Sequence, residues 1–506
     1  MVKKNLIDSY TIVADRVPAR INIWQTDEDP VPLYEIEMPR LGPGTEALLS
    51  YLVDKLASYV PVEIENITDS KMLEEMKKRF FLKVKAAVKE KIPDYADEKI
   101  DALSGILLHR MYGLGDIEII MADNFLEELA INGSREPISV YHKKHRWCKT
   151  TEYLKTEEEI YNFSSQIGRK VGREINSLNP IMDAHLLTGD RVAATMFPIS
   201  TRGNTITIRR FARAPWTITS FLTPEYNTMS KEMAAFLWMT MQYELNVLVA
   251  GGTASGKTSV LNVLCSFVPP TQRIISIEDT RELALPKELH WNWVPMTSRQ
   301  ANPEGQGEVT MLDLMIASLR MRPDRMVVGE VRRREQAEAM FEAMHTGHSV
   351  YTTMHADTVE QVKRRLLEPP MEIPKAELEA LQLVLVQYRD RRKGIRRTLE
   401  MAEILTGGEK DLDINYLYRW RPRTDVFEKA ADSIRVFEDL NLHTGMTVQE
   451  IKNDLKEKQQ ILQWMLDSKV FDIDSIGKIM QAYYTERDSL MNAFSKKISA
   501  EKFLRG

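Results

Sequence analysis

Gly251, Gly256, Lys257 and Thr258 stand at the spacing G-x-x-x-x-G-K-[ST], directly after the apolar run NVLVA (246–250) and directly before SVLNVL. Glycines at these positions let the chain turn tightly enough for backbone N–H groups to face inward, and the helix that follows begins with amides of the same sense. A concave row of donors of this kind suits the oxygens of a polyphosphate. Lys257 is then placed to bridge β- and γ-phosphates, and the Thr258 hydroxyl to hold Mg²⁺. The candidate nucleotide-binding loop is Gly251, Gly252, Thr253, Ala254, Ser255, Gly256, Lys257, Thr258 and Ser259.

Three further groups follow at the ends of short apolar runs. Ile274–Ile277 ends in Glu278 and Asp279, and carboxylates at the carboxyl end of a strand lie near the crevice where α/β sheets bind ligands. They are candidates to hold a metal-bound water or to polarise an attacking one. Met326–Val328 ends in Gly329–Glu330, an acid placed to reach the metal or orient water opposite a γ-phosphate; MLDLMIASLRMRP before it supplies the crossover helix that a parallel pair requires. His345, His348 and His355 surround the run Ser349–Thr353. They lack the cysteine and carboxylate spacings of a zinc site. His355, after that strand, is better placed to donate a hydrogen bond where phosphate charge changes, with His348 as its companion.

The elements that must position these groups belong to a chain of 506 residues, enough for about three domains. With 43% hydrophobic and 28% charged residues it reads as an ordinary globular protein, and its net charge of −5 gives no broad push towards nucleic acid or anionic lipid. Two distant cysteines, Cys148 and Cys265, build neither a disulfide framework nor a zinc knuckle, and point to a reducing compartment. The start, MVKKNLIDSY, does not read as a secretory signal, and no apolar run approaches the roughly 20 residues of a membrane span. Residues 1–110 read as a mostly helical module: an extended and irregular, proline-punctuated start to about residue 40, then helices over 43–60 (Thr45 a possible cap), 70–91 and 97–111. Residues 111–211 read as a second α/β domain, 212–227 as a hinge-like linker, 228–408 as the P-loop core, and 409–506 as a mostly helical extension.

Taken in order, GGTASGKT, SIEDTREL, MVVGEVRRRE and TGHSVYTTMHA resemble the secretion ATPase superfamily of type II and type IV systems, which powers type II secretion, type IV pilus extension and retraction, and the archaellum. The similarity runs from about Tyr112 to Ile404, including GRKVGREINSLNPIMDAHLLTGDRVAATMFP and TITIRRF. The resemblance implies an α/β fold in which a RecA-like P-loop motor domain with a parallel sheet follows a smaller α/β domain, with helical extensions at both ends. It also implies a homo-hexameric ring using ATP and Mg²⁺. Carried onto this sequence, Lys257 and Thr258 meet phosphate and metal, and Glu278 and Asp279 form the aspartate box. Glu330 is the Walker B glutamate, and His348 and His355 are the histidine box. Thr258, Glu278 and Glu330 are the metal candidates. Arg191, Arg209 and Arg210 occupy positions where the family places arginines that close on the triphosphate, with Arg173 a further candidate. Arg209 and Arg210 are adjacent on a strand and should face opposite ways.

Many bacterial relatives carry a four-cysteine zinc module after the histidine box, which this chain lacks. LQLVLVQYRDRRKGIRRTLEMAEI (381–404) stands there instead, read as two strands around Gly394 whose connection carries Arg389, Arg391, Arg392, Lys393, Arg396 and Arg397. This region and DLDINYLYRWRPRTDVFEKA resemble the archaeal branch. The basic hairpin admits three readings: a solvated or intersubunit ion-paired surface, contact with anionic lipid or a membrane platform, or nucleic acid. The implied partners are an integral membrane platform protein and archaellum or pilus accessory proteins, with the chain cytoplasmic and peripheral at the inner membrane face. A nucleic-acid translocase and a non-catalytic nucleotide-binding scaffold are the competing functions.

Overall fold

The computed structural model describes residues 4–27, 29–56, 70–186, 189–210, 215–301, 305–407, 411–496 and 498–505. It divides into two compact units, 1–213 and 214–506. In the first, strands β1 (Lys4–Ala14) and β2 (Val17–Thr26) pair antiparallel down to Ala14–Val17, leaving Asp15 and Arg16 as a two-residue turn with φ of 45° and 72°. Two positive φ values match the twist of the flanking strands. Val17, Ala19, Ile21 and Ile23 alternate into the core. β3 (Leu33–Glu37) pairs with β2 over Arg20–Trp24 only, so Pro18 lies beyond that ladder.

Residues 4–37 are therefore extended as expected, but as three paired strands rather than irregular chain, where the prolines suggest breaks. α1 (Pro43–Leu56), which begins ahead of Thr45, α2 (Ser70–Lys91) and α3 (Asp97–Tyr112) bury Leu49, Leu52, Val84, Val88, Ile100 and Leu107 in one core with Ile21 and Ile23. After α4 (Ile117–Met121) come β4 (Leu126–Asn132), β5 (Ser139–His142), β6 (Arg146–Thr150), α5 (Glu157–Lys170), β7 (Ile181–His185), β8 (Arg191–Thr195) and β9 (Thr205–Arg209). The sheet order is β1-β2-β3-β6-β5-β4-β9-β8-β7, with β3 parallel to β6 and the other pairs antiparallel. Asp123 pins the first strands to the rest: the Tyr10 and Tyr34 hydroxyls each donate to its Oδ2 at 2.6 Å, and the Phe125 amide donates to Oδ1 at 2.8 Å. The helices expected as a separate module thus share a core with the strands that follow.

The second unit opens with α6 (Ile218–Leu222) and α7 (Lys231–Gln242), the latter capped by Ser230 Oγ accepting from the Met233 amide. Its sheet is built from β10 (Val247–Gly251), β11 (Ile274–Glu278), β12 (Trp293–Thr297), β13 (Arg325–Val328), β14 (Ser349–Met354), β15 (Leu383–Asp390), β16 (Ile395–Gly407), β17 (Asp411–Arg421) and β18 (Val426–Lys429). Between them lie α8 (Lys257–Cys265), α9 (Met311–Ser318), α10 (Arg334–His345) and α11 (Val359–Leu367). The order is β12-β11-β13-β14-β10-β15-β16-β17-β18, parallel through the first six strands and antiparallel after them. Every residue of β10, β11, β13 and β14 is buried, as strands covered on both faces require. Parallel strands bring their carboxyl ends to one edge, where all four motif loops gather.

Residues after 409 first extend this sheet through β17 and β18; only then come α12 (Arg435–Thr444), α13 (Val448–Asp467), α14 (Ile473–Thr485), α15 (Arg487–Ser495) and α16 (Ala500–Arg505). The many charges in that segment hide the strand pattern, yet Leu412, Leu417, Tyr418 and Trp420 are buried. Of these helices α13 packs on α6 and α7, and α14 on the turn Lys287–Asn292. Lys458 is wholly buried, donating to Asp454 Oδ1 and Oδ2 at 2.6 Å and to the Tyr483 hydroxyl at 3.0 Å, with its ammonium over the Trp238 ring. Trp238 Nε1 donates to the Tyr484 hydroxyl, which donates to the Phe267 carbonyl just past α8. Removing one member of a buried ion pair strands the other, so Lys458→Ala should lose about 3 kcal/mol in urea unfolding. A loss below about 1 kcal/mol, the range of an exposed pair, would contradict this account.

Candidate functional site

β10 enters the loop between β14 and β15, with Gly251 opposite Gln387. Gly251 has φ 152°, and a Cβ there would collide with the Gln387 carbonyl and with Ser255 Oγ, so the loop closes over β15 only with glycine. Gly256 (φ 95°) is the N-cap of α8, and Ala254 (φ 58°) is also left-handed. Thr253 and Ala254 form the exposed crest, while Ser255 is buried with no hydrogen-bond partner for its hydroxyl oxygen. Thr258 and Ser259 lie in the first turn of α8. The result is a cradle too narrow for side chains and lined by backbone, which fits a phosphate chain.

Lys257 is 8% exposed, and its ammonium donates to the carbonyls of Gly251 at 2.9 Å and Gly252 at 3.1 Å. It also lies 3.2 Å from His355 Nδ1. An ammonium only donates, so Nδ1 accepts and the ring proton sits on Nε2, which lies 3.1 Å from Glu330 Oε1. Burial first, then the charge of Lys257, hold His355 below the usual imidazole range, and burial lowers Lys257 as well. Glu330 Oε2 accepts from Arg332 Nη2 at 2.8 Å; Arg332 Nη1 continues to Asp279 Oδ2 at 3.0 Å, and Ser298 Oγ donates to Asp279 Oδ1 at 3.1 Å. Polar groups in close succession therefore run from Lys257 through His355, Glu330 and Arg332 to Asp279; the His355–Glu330 step is a close approach in which Glu330 Oε1, buried, accepts no aligned hydrogen bond. The turn after β13 is fixed by Thr353 Oγ1 on the Gly329 carbonyl and by the Val331 amide on the Thr353 carbonyl.

Arg332 is the residue that sequence reading missed. Its one signal in the sequence is its place in the run of arginines that follows Glu330. Arg396 was noted only as part of the basic hairpin, yet its Nε donates to the Ala254 carbonyl at 3.1 Å. Glu278 does not join the chain. It is 3% exposed, and its Oε1 accepts from the amides of Glu282 at 2.8 Å and Leu283 at 3.1 Å, which leaves Asp279 as the carboxylate of the pair that meets Arg332.

The type II/IV secretion system protein family matches residues 186–392, from the end of β7 to the tip of the β15–β16 hairpin. MJ0900, an uncharacterized protein of Methanocaldococcus jannaschii, is 32% identical over 492 residues, 92% of this chain and 87% of that protein. The chain belongs to the type II/IV secretion system protein family. The type IV secretion system protein PtlH of Bordetella pertussis, at 27% identity, aligns with 51% of this family member and 84% of its own length. Among solved structures, the Legionella pneumophila ATPase DotB aligns with 72% of this chain and 95% of its own at 19% identity and a TM-score of 0.42.

The remaining site candidates of this secretion-family chain have other surroundings. His348 precedes β14 and His355 follows it, so an extended strand of six residues, roughly 20 Å, separates them. His348 Nδ1 lies 3.1 Å from Thr346 Oγ1 and 3.3 Å from the Ala343 carbonyl at the end of α10, and His345 Nε2 lies 3.0 Å from Glu377. The strand geometry thus withdraws His348 from the loop that His355 meets. In the first unit Arg191 holds Asp183 through Nε at 3.0 Å and Nη2 at 2.5 Å. Arg209 is exposed on β9, opposite Arg191 on β8 and Glu128 on β4, whereas Arg210 is drawn inward by the carbonyls of Asp123 and Leu126. The two neighbours diverge as strand alternation demands. Arg173 lies half-buried in the turn after α5, its amide donating to the Gly168 carbonyl.

Burial pushes the Glu278 carboxyl up to about 7, against the pull of the two amides it accepts from. Its folded value lies above that of the unfolded chain, so the fold favours the protonated form. That contribution is complete below the unfolded carboxyl range and is lost as pH rises through about 7. In Glu278→Gln one carbonyl oxygen still accepts from both amides. The variant should lie within about 1 kcal/mol of the parent at pH 5, and its advantage should grow by on the order of 2 kcal/mol by pH 8 in urea unfolding. Equal stability at both pH values would contradict the assignment.

Proposed function

We propose that this chain hydrolyses ATP with Mg²⁺ and, as a homo-hexameric ring, drives the assembly, rotation or secretion of an archaellum, an archaeal type IV pilus or a type II-like system. The observation that carries the reading is the polar chain from Lys257 to Glu330, set under a glycine-lined cradle. Family membership supports the ATPase, and the M. jannaschii relative aligned over most of the chain supports the archaeal branch.

Phosphate oxygens are stronger acceptors for an ammonium than the carbonyls of Gly251 and Gly252. Lys257 turns towards a triphosphate in the cradle, and His355 Nδ1 loses its donor. Glu330 orients the attacking water and takes its proton as the bond to the γ-phosphorus forms and the bond to the ADP oxygen breaks. Arg332 holds Glu330 from the other side and ties it to Asp279. Thr258 would hold Mg²⁺ beside the phosphate oxygens, where the ion would neutralise phosphate charge.

Among the described residues no helix is long and apolar enough to cross a membrane. A motor of this kind acts on an integral membrane platform protein and its accessory proteins from the cytoplasmic side, as a peripheral ring.

Glu330→Gln should lower kcat at least ~100-fold while leaving ATP binding intact, and Lys257→Ala should abolish binding. Steady-state kinetics beside calorimetric binding separates the two outcomes. Equal loss of binding in Glu330→Gln would remove it from the role of water-positioning acid.

A further inference from the structure

Resting on that ATPase reading, we infer that Arg396 is a positioning residue of the nucleotide loop, so that the basic β15–β16 hairpin is part of the nucleotide site.

The register makes the hairpin a neighbour of the loop. Gly251 lies opposite Gln387 on β15, and β16 is the next strand. Two contacts fix how β16 presents its side chains. Arg397 is buried: its Nε and Nη2 donate to Asp425 Oδ1 and Oδ2 at 2.6 and 2.7 Å, and its Nη1 to the Tyr226 carbonyl at 2.6 Å. Gln387 Nε2 donates to Thr398 Oγ1 at 2.7 Å, joining β15 to β16. With Arg397 held on one side, strand alternation sends Arg396 to the other. There its Nε donates to the Ala254 carbonyl at 3.1 Å, and its Cδ lies 3.5 Å from the place a Cβ on Gly256 would take.

Ala254 is the only residue from Gly251 to Ser259 other than glycine with positive φ, 58°. An alanine in that region is strained and persists only where its surroundings over-determine it. A charge-assisted hydrogen bond to its own carbonyl is such a constraint. The peptide plane is rigid, so fixing the Ala254 carbonyl also fixes the Ser255 amide, which donates back to the Gly252 carbonyl at 3.3 Å and closes the turn, and that same carbonyl accepts from Lys257. Arg396 thereby holds the shape of the Gly252–Ser255 turn from outside the loop, without touching the substrate.

The test is calorimetric binding of a non-hydrolysable ATP analogue to the full chain and to Arg396→Ala, Arg396→Lys and Arg396→Ala/Ala254→Gly, with a thermal midpoint for each. Arg396→Ala should bind about tenfold more weakly, the scale of one lost charge-assisted hydrogen bond. Arg396→Lys, which still offers a donor, should stay within about threefold of the parent. Glycine adopts positive φ without the cost of a Cβ, so Ala254→Gly in the Arg396→Ala background should recover most of the loss. If Arg396→Ala does not fold, Arg396→Gln with and without Ala254→Gly gives the same comparison. Parent-like binding by Arg396→Ala, or a loss that Ala254→Gly fails to recover, would overturn the inference and leave the ATPase reading standing. A parent chain that binds no nucleotide would sink the ATPase reading, and this inference with it.

Discussion

Everything at the site depends on the place of β10 between β14 and β15. A parallel strand hemmed in on both sides has one way out, over its carboxyl end, and the Gln387 carbonyl leaves no room there for a side chain on Gly251. That constraint produces the tight turn, the left-handed residues after it and the start of α8 at Lys257. The same parallel register delivers Glu278, Glu330 and His355 to one edge, because each closes or follows a strand that runs alongside β10.

Proximity at that edge still leaves different fates. His355 and Glu330 meet because β14 and β13 are adjacent and their following turns are tied by Thr353 and Val331. Glu278 also ends its strand, yet it is buried under the loop at 282–283 and serves backbone amides, while Asp279 one residue on reaches Arg332. An acid at a strand end is thus placed by topology but employed by whatever the next turn offers it.

What the sequence made legible follows from the same distinction. The strand–loop–helix at 246–264, the acid after Met326–Val328 and the strand before His355 are local patterns, and local patterns survive folding. The three strands of residues 4–37 were hidden because prolines read as breaks, whereas Pro18 sits where β2 outruns its neighbour. β17 and β18 were hidden by charges along their exposed positions. His348 and His355 pair as one box by resemblance, yet the strand read between them is extended and sends them to opposite ends. The contact of Arg396 with Ala254 bridges 142 positions and exists only through the β10–β15–β16 register.

The hydrogen bond from Tyr484 to the Phe267 carbonyl, with Trp238 stacked on Phe267, has a mechanical meaning. The helix that begins at Lys257 is pinned just past its far end to α14, and through Trp238 and Lys458 to α13. The start of α8 and the last helices of the chain are thus members of one braced assembly.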